Sequence, residues 1–312
     1  MKKFNQVLDE PGMESDDILN AGLTVSEKDF DIGLRQSTDV EEENATQDIQ
    51  ESVQESEETQ PSYAMQIVFL GDSILDNVRE YNGVAALVAE NCNARVYNMA
   101  MGGTSAALLK GEPYDYNNWD SRCLLGVVNA IVGNIDGDIF EGYRAGEILK
   151  ECNFAETDYF IIEYGINDFL SKIPASRHLA DGTELPVDRS QTYVGALETA
   201  VSLLRKAFPD AKIMLVNPHY CQFFSGKTYL GDAYSLDYGY GALVSYTQLC
   251  GYVYEINKED NVIFFDAFLE SGIRAETADW YLEDGIHLNS DGRHLYADCI
   301  SERILADFHP VE

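Results

Sequence analysis

From Met65 onward the chain alternates short, continuously apolar runs with amphipathic stretches, and that alternation leaves few folds open. The runs are QIVFLGD (66–72), ARVYNMA (94–100), DYFIIEYG (158–165), AKIMLVNP (211–218) and NVIFFDAF (261–268). Each is rich in β-branched and aromatic residues and lacks the in–out alternation of a half-exposed strand, as expected of strands covered on both faces. Between them, 78–92, 191–208, 240–259 and 290–308 carry apolar residues at helical spacing; in the second these are Val194, Leu197, Val201, Leu204 and Ala207. The region 119–152 also reads as largely helical. Strand–helix alternation predicts an α/β domain over residues 63–312, with a five-stranded parallel sheet flanked by helices in three α/β/α layers. Such sheets bind ligands at the carboxyl ends of their strands, so chemistry is sought just after each run.

Residues 1–62 differ. They carry 17 acidic and 4 basic side chains and few aromatics. The stretch QSTDVEEENATQDIQESVQESEETQPS (36–62) has too little apolar surface to offset the entropy of ordering, so 1–62 is expected to be an acidic, disordered tail and linker. Scattered apolar positions before residue 36 would alternatively suit a short docking helix. The formal net charge of −33 repels phosphate backbones, which argues against a nucleic-acid partner. No apolar run is long enough for a membrane span. MKK at the start is not followed by the apolar core of a signal peptide, so the chain as given reads as cytoplasmic; a leader preceding it would make it extracellular. Six widely spaced cysteines without a CxxC pair do not indicate a zinc or redox site and read as free thiols. In 134–145, Ile139 and Ala145 stand where a calcium loop needs Gly and Glu, so no metal is expected.

Four short motifs lie where a site should be. Gly71-Asp72-Ser73-Ile74 ends the first run and puts a hydroxyl at a strand-to-helix turn, either as a reactive group or as a helix cap. Asn98 to Ser105 (NMAMGGTS) follows the second, and its adjacent glycines expose backbone N–H groups suited to an oxyanion. Gly165-Ile166-Asn167-Asp168 follows the third and supplies a side-chain amide. Asp284-Gly285-Ile286-His287 precedes the last helix, whose cap is Asn289 or Ser290; a carboxylate three residues before a His can hold the ring in one tautomer. Singly, each motif also fits a cap, a turn or a solvated loop.

In this order the four blocks resemble those of the SGNH, or GDSL-type, hydrolases, named for their Ser, Gly, Asn and His. Here those residues are Ser73, Gly103 (chosen over Gly102), Asn167 and His287, and DGIHLNSDGRHLYA is especially similar to the family's last block. The resemblance spans about 66–308 and implies a flavodoxin-like fold. It further implies a serine esterase working through an acyl-enzyme without metal or cofactor. Ser73 would be the nucleophile, with His287 and Asp284 as partners, and Ser73, Gly103 and Asn167 would form the oxyanion hole. Asp72 and Asp168 would brace the loops. No GxSxG elbow surrounds Ser73, unlike an ordinary α/β-hydrolase.

Two loops flank the expected site, 170–190 and 218–240, and the second carries Tyr220, Phe223, Phe224, Tyr229, Tyr234, Tyr238 and Tyr240. Aromatic rings with polar tips suit stacking on sugars, and equally suit packing of the loop itself. A short-acyl or O-acetyl ester on carbohydrate is the favoured substrate, with a lipase, lysophospholipase or thioesterase as the alternative. An inactive module binding a glycan or a protein partner is the non-enzymatic alternative. His219, after the fourth run, is near enough to the expected site to contact substrate; His178, His294 and His309 read as structural or solvated.

Overall fold

Chain order gives strands β1 (Met65–Gly71), β2 (Ala94–Asn98), β3 (Tyr159–Glu163), β4 (Lys212–Val216), β5 (Gln222–Ser225), β6 (Thr228–Asp232) and β7 (Val262–Phe265). The five apolar runs are β1–β4 and β7, and they form one parallel sheet in the order β2-β1-β3-β4-β7. All seven residues of β1 are buried. Covering Ile67, Val68, Phe69 and Leu70 on both faces contributes about 1.5–3 kcal/mol per side chain, which explains why these runs do not alternate. The computed structural model describes residues 62–109, 115–116 and 121–308. Apart from Ser62, the expected acidic tail and linker with its candidate docking helix lies outside them, and so does His309.

The helices are α1 (Ser73–Asp76), α2 (Val84–Cys92), α3 (Leu124–Ile131), α4 (Arg144–Glu151), α5 (Ile166–Leu170), α6 (Tyr193–Ala207), α7 (Leu243–Asn257), α8 (Ala267–Glu270), α9 (Ala278–Tyr281) and α10 (Ser290–Asp307). α2 packs on α10, while α3, α6 and α7 pack in series, giving the two outer layers of the expected α/β/α arrangement. The chain steps from β1 outward to β2, then returns to the other side of β1 for β3. That reversal makes the carboxyl ends of β1 and β3 the switch point of the sheet, and Ser73 and Asn167 follow those two ends.

Three expectations need correction. The helix expected over 78–92 begins only at Val84, because Gly83 is its extended N-cap and folds so closely over the Val78 carbonyl that a Cβ would lie 2.0 Å from that oxygen. The region 119–152 is broken into α3, a 3-10 turn at Asp138–Phe140 and α4 by glycines at positive φ, Gly133 and Gly137 among them. The loop expected over 218–240 contains an antiparallel hairpin, β5–β6, with a register shift between Phe223 and Phe224.

Gly165 joins β3 to the helix that carries Asn167. Its φ of +131° lies where side chains are rarely tolerated, and a Cβ there would stand 2.7 Å from Pro218 Cγ and 3.1 Å from the Tyr193 ring. Tyr193 cannot retreat freely, since its hydroxyl donates to the Tyr164 carbonyl at 3.0 Å. Gly165→Ala is therefore expected to lower folding stability by about 1–3 kcal/mol, read from urea unfolding.

Candidate active site

At the end of β1 the Asp72 carboxylate caps α1, with Oδ1 accepting from the Ile74 N–H at 3.0 Å. Ser73 is thereby the first helical residue, where a backbone N–H has no intrahelical acceptor; among the described residues none accepts from it. Its Oγ lies 3.0 Å from His287 Nε2. His287 Nδ1 lies 2.6 Å from Asp284 Oδ2. The other Asp284 oxygen accepts from the N–H groups of Ile286 (2.9 Å) and His287 (2.8 Å). The carboxylate is thus held by its own loop, in an Asx-turn that also places the ring it serves. Gly285 takes φ +89° in that turn, and a Cβ on it would come 2.4 Å from the Gln222 carbonyl. A Glu283 N–H to His287 carbonyl bond of 2.9 Å closes the loop, and Asn289 caps α10 through the Gly292 N–H.

Electrostatics follow the geometry. The hydrogen bond to Asp284 raises the His287 pKa above its ordinary value, against partial burial. For Asp284, partial burial acts upward, but hydrogen bonds from the His287 ring and from the two N–H groups outweigh it and bring the carboxyl down to about 2. At neutral pH Asp284 is therefore a carboxylate. With it on Nδ1, a neutral His287 keeps the proton there and leaves Nε2 to accept from Ser73.

The second and third blocks meet this turn. Gly102 N–H donates to Asp76 Oδ2 at 2.6 Å and is thereby occupied. Gly103 N–H has no acceptor among the described residues, which supports Gly103 over Gly102 as the available donor. Asn167 also comes to the site, but both hydrogens of its amide are engaged, one with Asp72 Oδ2 and one with the Thr104 carbonyl, each at 3.1 Å. The fully buried Asp168 accepts from the N–H groups of Ala106 (2.8 Å) and Ala107 (3.1 Å) and so ties the third block to the second. Burial, only partly offset by those donors, holds its pKa up at about 6.

Two further residues act here, Glu163, which was given no role from sequence, and His219, which was weighed only as a substrate contact. Glu163, the last residue of β3, is fully buried against Asp72; burial first, and the neighbouring carboxyl second, push its pKa well above the ordinary range. Asp72 beside it is also pushed up, chiefly by burial. The one sequence signal of Glu163 is an acid inside the apolar run FIIEYG. His219, considered a substrate contact, is instead wholly buried, and its Nε2 bonds the Ile286 carbonyl at 2.8 Å. Burial, opposed by that bond, brings its pKa down to about 4, so the ring is neutral and Nε2–H donates into the Asp284–His287 loop.

A cavity of about 230 Å³ opens beside these groups, lined by Asp76, Gly102, Gly103, Thr104, Leu109 and Tyr143 among others. A larger one of about 730 Å³ runs along β2, and neither cavity is lined by Ser73, Asn167, Asp284 or His287.

The pattern of the GDSL-like lipase/acylhydrolase family matches residues 69–295. Solved structures share the fold at low identity. A protein from Lactobacillus plantarum is 14% identical, with a TM-score of 0.53 over 80% of this chain and 100% of that one. A possible lipase from Chitinophaga pinensis is 15% identical, with a TM-score of 0.50 over 78% of this chain and 98% of that one. No curated protein matches the chain.

His219→Leu removes the donor to the Ile286 carbonyl and leaves that oxygen unpaired, with an expected loss of about 1–3 kcal/mol of stability. His219→Gln, whose amide can reach the same carbonyl, is expected to recover most of it. Thermal unfolding of the two variants checks this, and equal losses would count against the bond.

Proposed function

Since the chain belongs to the GDSL-like lipase/acylhydrolase family, and so is a hydrolase acting on esters, we propose that it is a serine esterase that works through an acyl-enzyme on short-acyl or O-acetyl esters of carbohydrate. The observation that carries this reading is the continuous line from Ser73 Oγ through His287 to Asp284, with contacts of 3.0 and 2.6 Å.

In the proposed reaction, His287 Nε2 takes the Ser73 proton as Oγ attacks the ester carbonyl, and Asp284 stabilises the imidazolium that forms. The carbonyl π pair moves onto oxygen, where the N–H groups of Ser73 and Gly103 receive the charge. Asn167 becomes the third donor by turning one amide hydrogen from the Thr104 carbonyl to the oxyanion. Collapse of the tetrahedral species breaks the bond to the alcohol, which leaves with the proton from His287. Water then attacks the Ser73 ester, again with His287 as base; the acyl–Oγ bond breaks as His287 returns the proton to Ser73, and the carboxylic acid departs.

One feature supports a sugar ester. The β5–β6 hairpin abuts the catalytic loop: Gln222 N–H donates to the Gly285 carbonyl at 2.8 Å. The hairpin holds the exposed rings of Phe224 and Tyr229 edge to face, 5.5 Å apart, an apolar and polar-tipped surface suited to a sugar face.

Ser73→Ala is expected to lower p-nitrophenyl acetate hydrolysis by at least about a thousandfold; equal rates in wild type and variant would remove Ser73 from the reaction. Because His287 must be neutral to accept the proton and its pKa is raised, kcat/KM should be lost as pH falls through a midpoint above 6.5. Asp284→Asn removes the cause of the shift and should move that midpoint down while slowing turnover. Across acyl chain lengths, acetyl and butyryl esters are expected to be the better substrates, whereas a preference for long chains would favour a lipase.

A further inference from the structure

The carboxylate of Asp76, one turn beyond Ser73, joins three parts of the site. Its Oδ2 accepts from Gly102 N–H at 2.6 Å, and its Oδ1 accepts from Arg79 Nε at 2.5 Å. Arg79 then donates Nη1 to the Asn98 carbonyl at 2.9 Å and Nη2 to the Ala100 carbonyl at 2.5 Å. The fork of one guanidinium thus spans the loop that follows β2 and locks it to the helix bearing Ser73. Asn98 adds a parallel tie, with Nδ2 donating to the Leu75 carbonyl at 2.8 Å. The two backbones are in close register here: a Cβ on Gly102 would lie 3.7 Å from Ser73 Cβ.

Two consequences follow for the oxyanion. By occupying Gly102 N–H, Asp76 leaves Gly103 N–H as the free donor of the pair and fixes it relative to Ser73 N–H. Asp76 also lines the cavity beside Gly103, where an unpaired negative charge would oppose the charge that develops on the substrate. Arg79, in contact with it, cancels that charge. Both groups are only partly exposed, with 31% and 28% of the Arg79 and Asp76 side chains accessible, so solvent screens the pair incompletely.

We propose that Asp76 and Arg79 are positioning residues of the oxyanion site: Asp76 sets Gly103 N–H against Ser73 N–H, and Arg79 holds Asp76 in place and neutralises it. This rests on the acyl-enzyme reading above. An inert surface salt bridge contributes little, whereas this one has its effect in the transition state.

The experiment is steady-state hydrolysis of p-nitrophenyl acetate by wild type, Arg79→Gln, Arg79→Lys and the double variant Asp76→Asn/Arg79→Gln, with thermal unfolding of each. Arg79→Gln is expected to lower kcat by about 10–100-fold with KM little changed. Arg79→Lys, which keeps the charge but not the fork, should retain more turnover. The double variant should be faster than Arg79→Gln alone, because the amide oxygen introduced by Asp76→Asn still accepts from Gly102 N–H but no longer repels the oxyanion. A merely structural tie predicts the reverse, with two lesions at least as slow as one. The proposal is overturned if the double variant is no faster, if Arg79→Lys and Arg79→Gln are equivalent, or if lost turnover only tracks lost melting temperature. Should wild type hydrolyse no ester, the acyl-enzyme reading falls by itself. The tie is then read from the Gly102 and Gly103 amide resonances, which move in Arg79→Gln if Asp76 and Arg79 set them and stay in place if they do not.

Discussion

Asp72 stands at the carboxyl end of β1 with no exposed surface, and each of its contacts reaches a different part of the chain. Its own helix donates through Ile74 N–H and the third block through Asn167 Nδ2, while β3 brings the buried carboxyl of Glu163 beside it. A lone buried carboxylate is costly, and donors converging on it are what make it tolerable. The serine turn and the Asn167 helix therefore settle together, because withdrawing either leaves one oxygen of the buried carboxylate short of a partner. The sheet makes the meeting possible: Glu163 pairs in register with Gly71, one residue before Asp72.

The loop bearing His287 is organised differently, from within. Asp284 receives two backbone N–H groups and the imidazole of the same four-residue segment, so acid and base are prealigned before any distant contact forms. What the loop cannot supply is its position over Ser73. His219 at the end of β4 and Gln222 at the start of β5 provide that, bonding the carbonyls of Ile286 and Gly285. Spacing within the motif sets the tautomer, and the body of the protein sets the distance to Ser73.

This division explains what was legible in sequence. Buried parallel strands announce themselves by unbroken apolar runs, and reactive residues placed directly after them are brought together by the topology. The turns bearing Ser73 and Asn167 could be placed after such runs, while the roles given to Ser73, Gly103, Asn167, Asp284 and His287 came with the resemblance of the four blocks. The β5–β6 hairpin could not be placed: its strands are four and five residues long, too short to show a period, and its aromatics read as loop. Val78–Gly83 carried helical spacing, but spacing does not reveal that Arg79 spends its donors on the carbonyls of Asn98 and Ala100. Likewise a sequence shows that Asn167 has an amide, and not that both its hydrogens are already engaged. Partners distant in the chain are invisible until the fold supplies them.

An esterase site must stabilise a transient anion, yet five carboxyl groups lie in and around this one, in a chain of formal net charge −33. Local cancellation resolves the conflict. Burial and the neighbouring carboxyl push Glu163 toward its neutral form, Asp72 and Asp168 are met by N–H donors, and Asp76 is met by Arg79. Asp284 faces the His287 imidazole, which in the proposed reaction turns cationic as the oxyanion forms. Short-range dipoles and paired charges outweigh the remote acidic surface, whose field salt attenuates beyond about 8–10 Å. That surface still acts on what approaches: it disfavours polyanionic substrates and anionic membranes and leaves neutral esters the easiest to admit. The acidity of the chain therefore bears on what approaches it more than on the charge balance around Ser73.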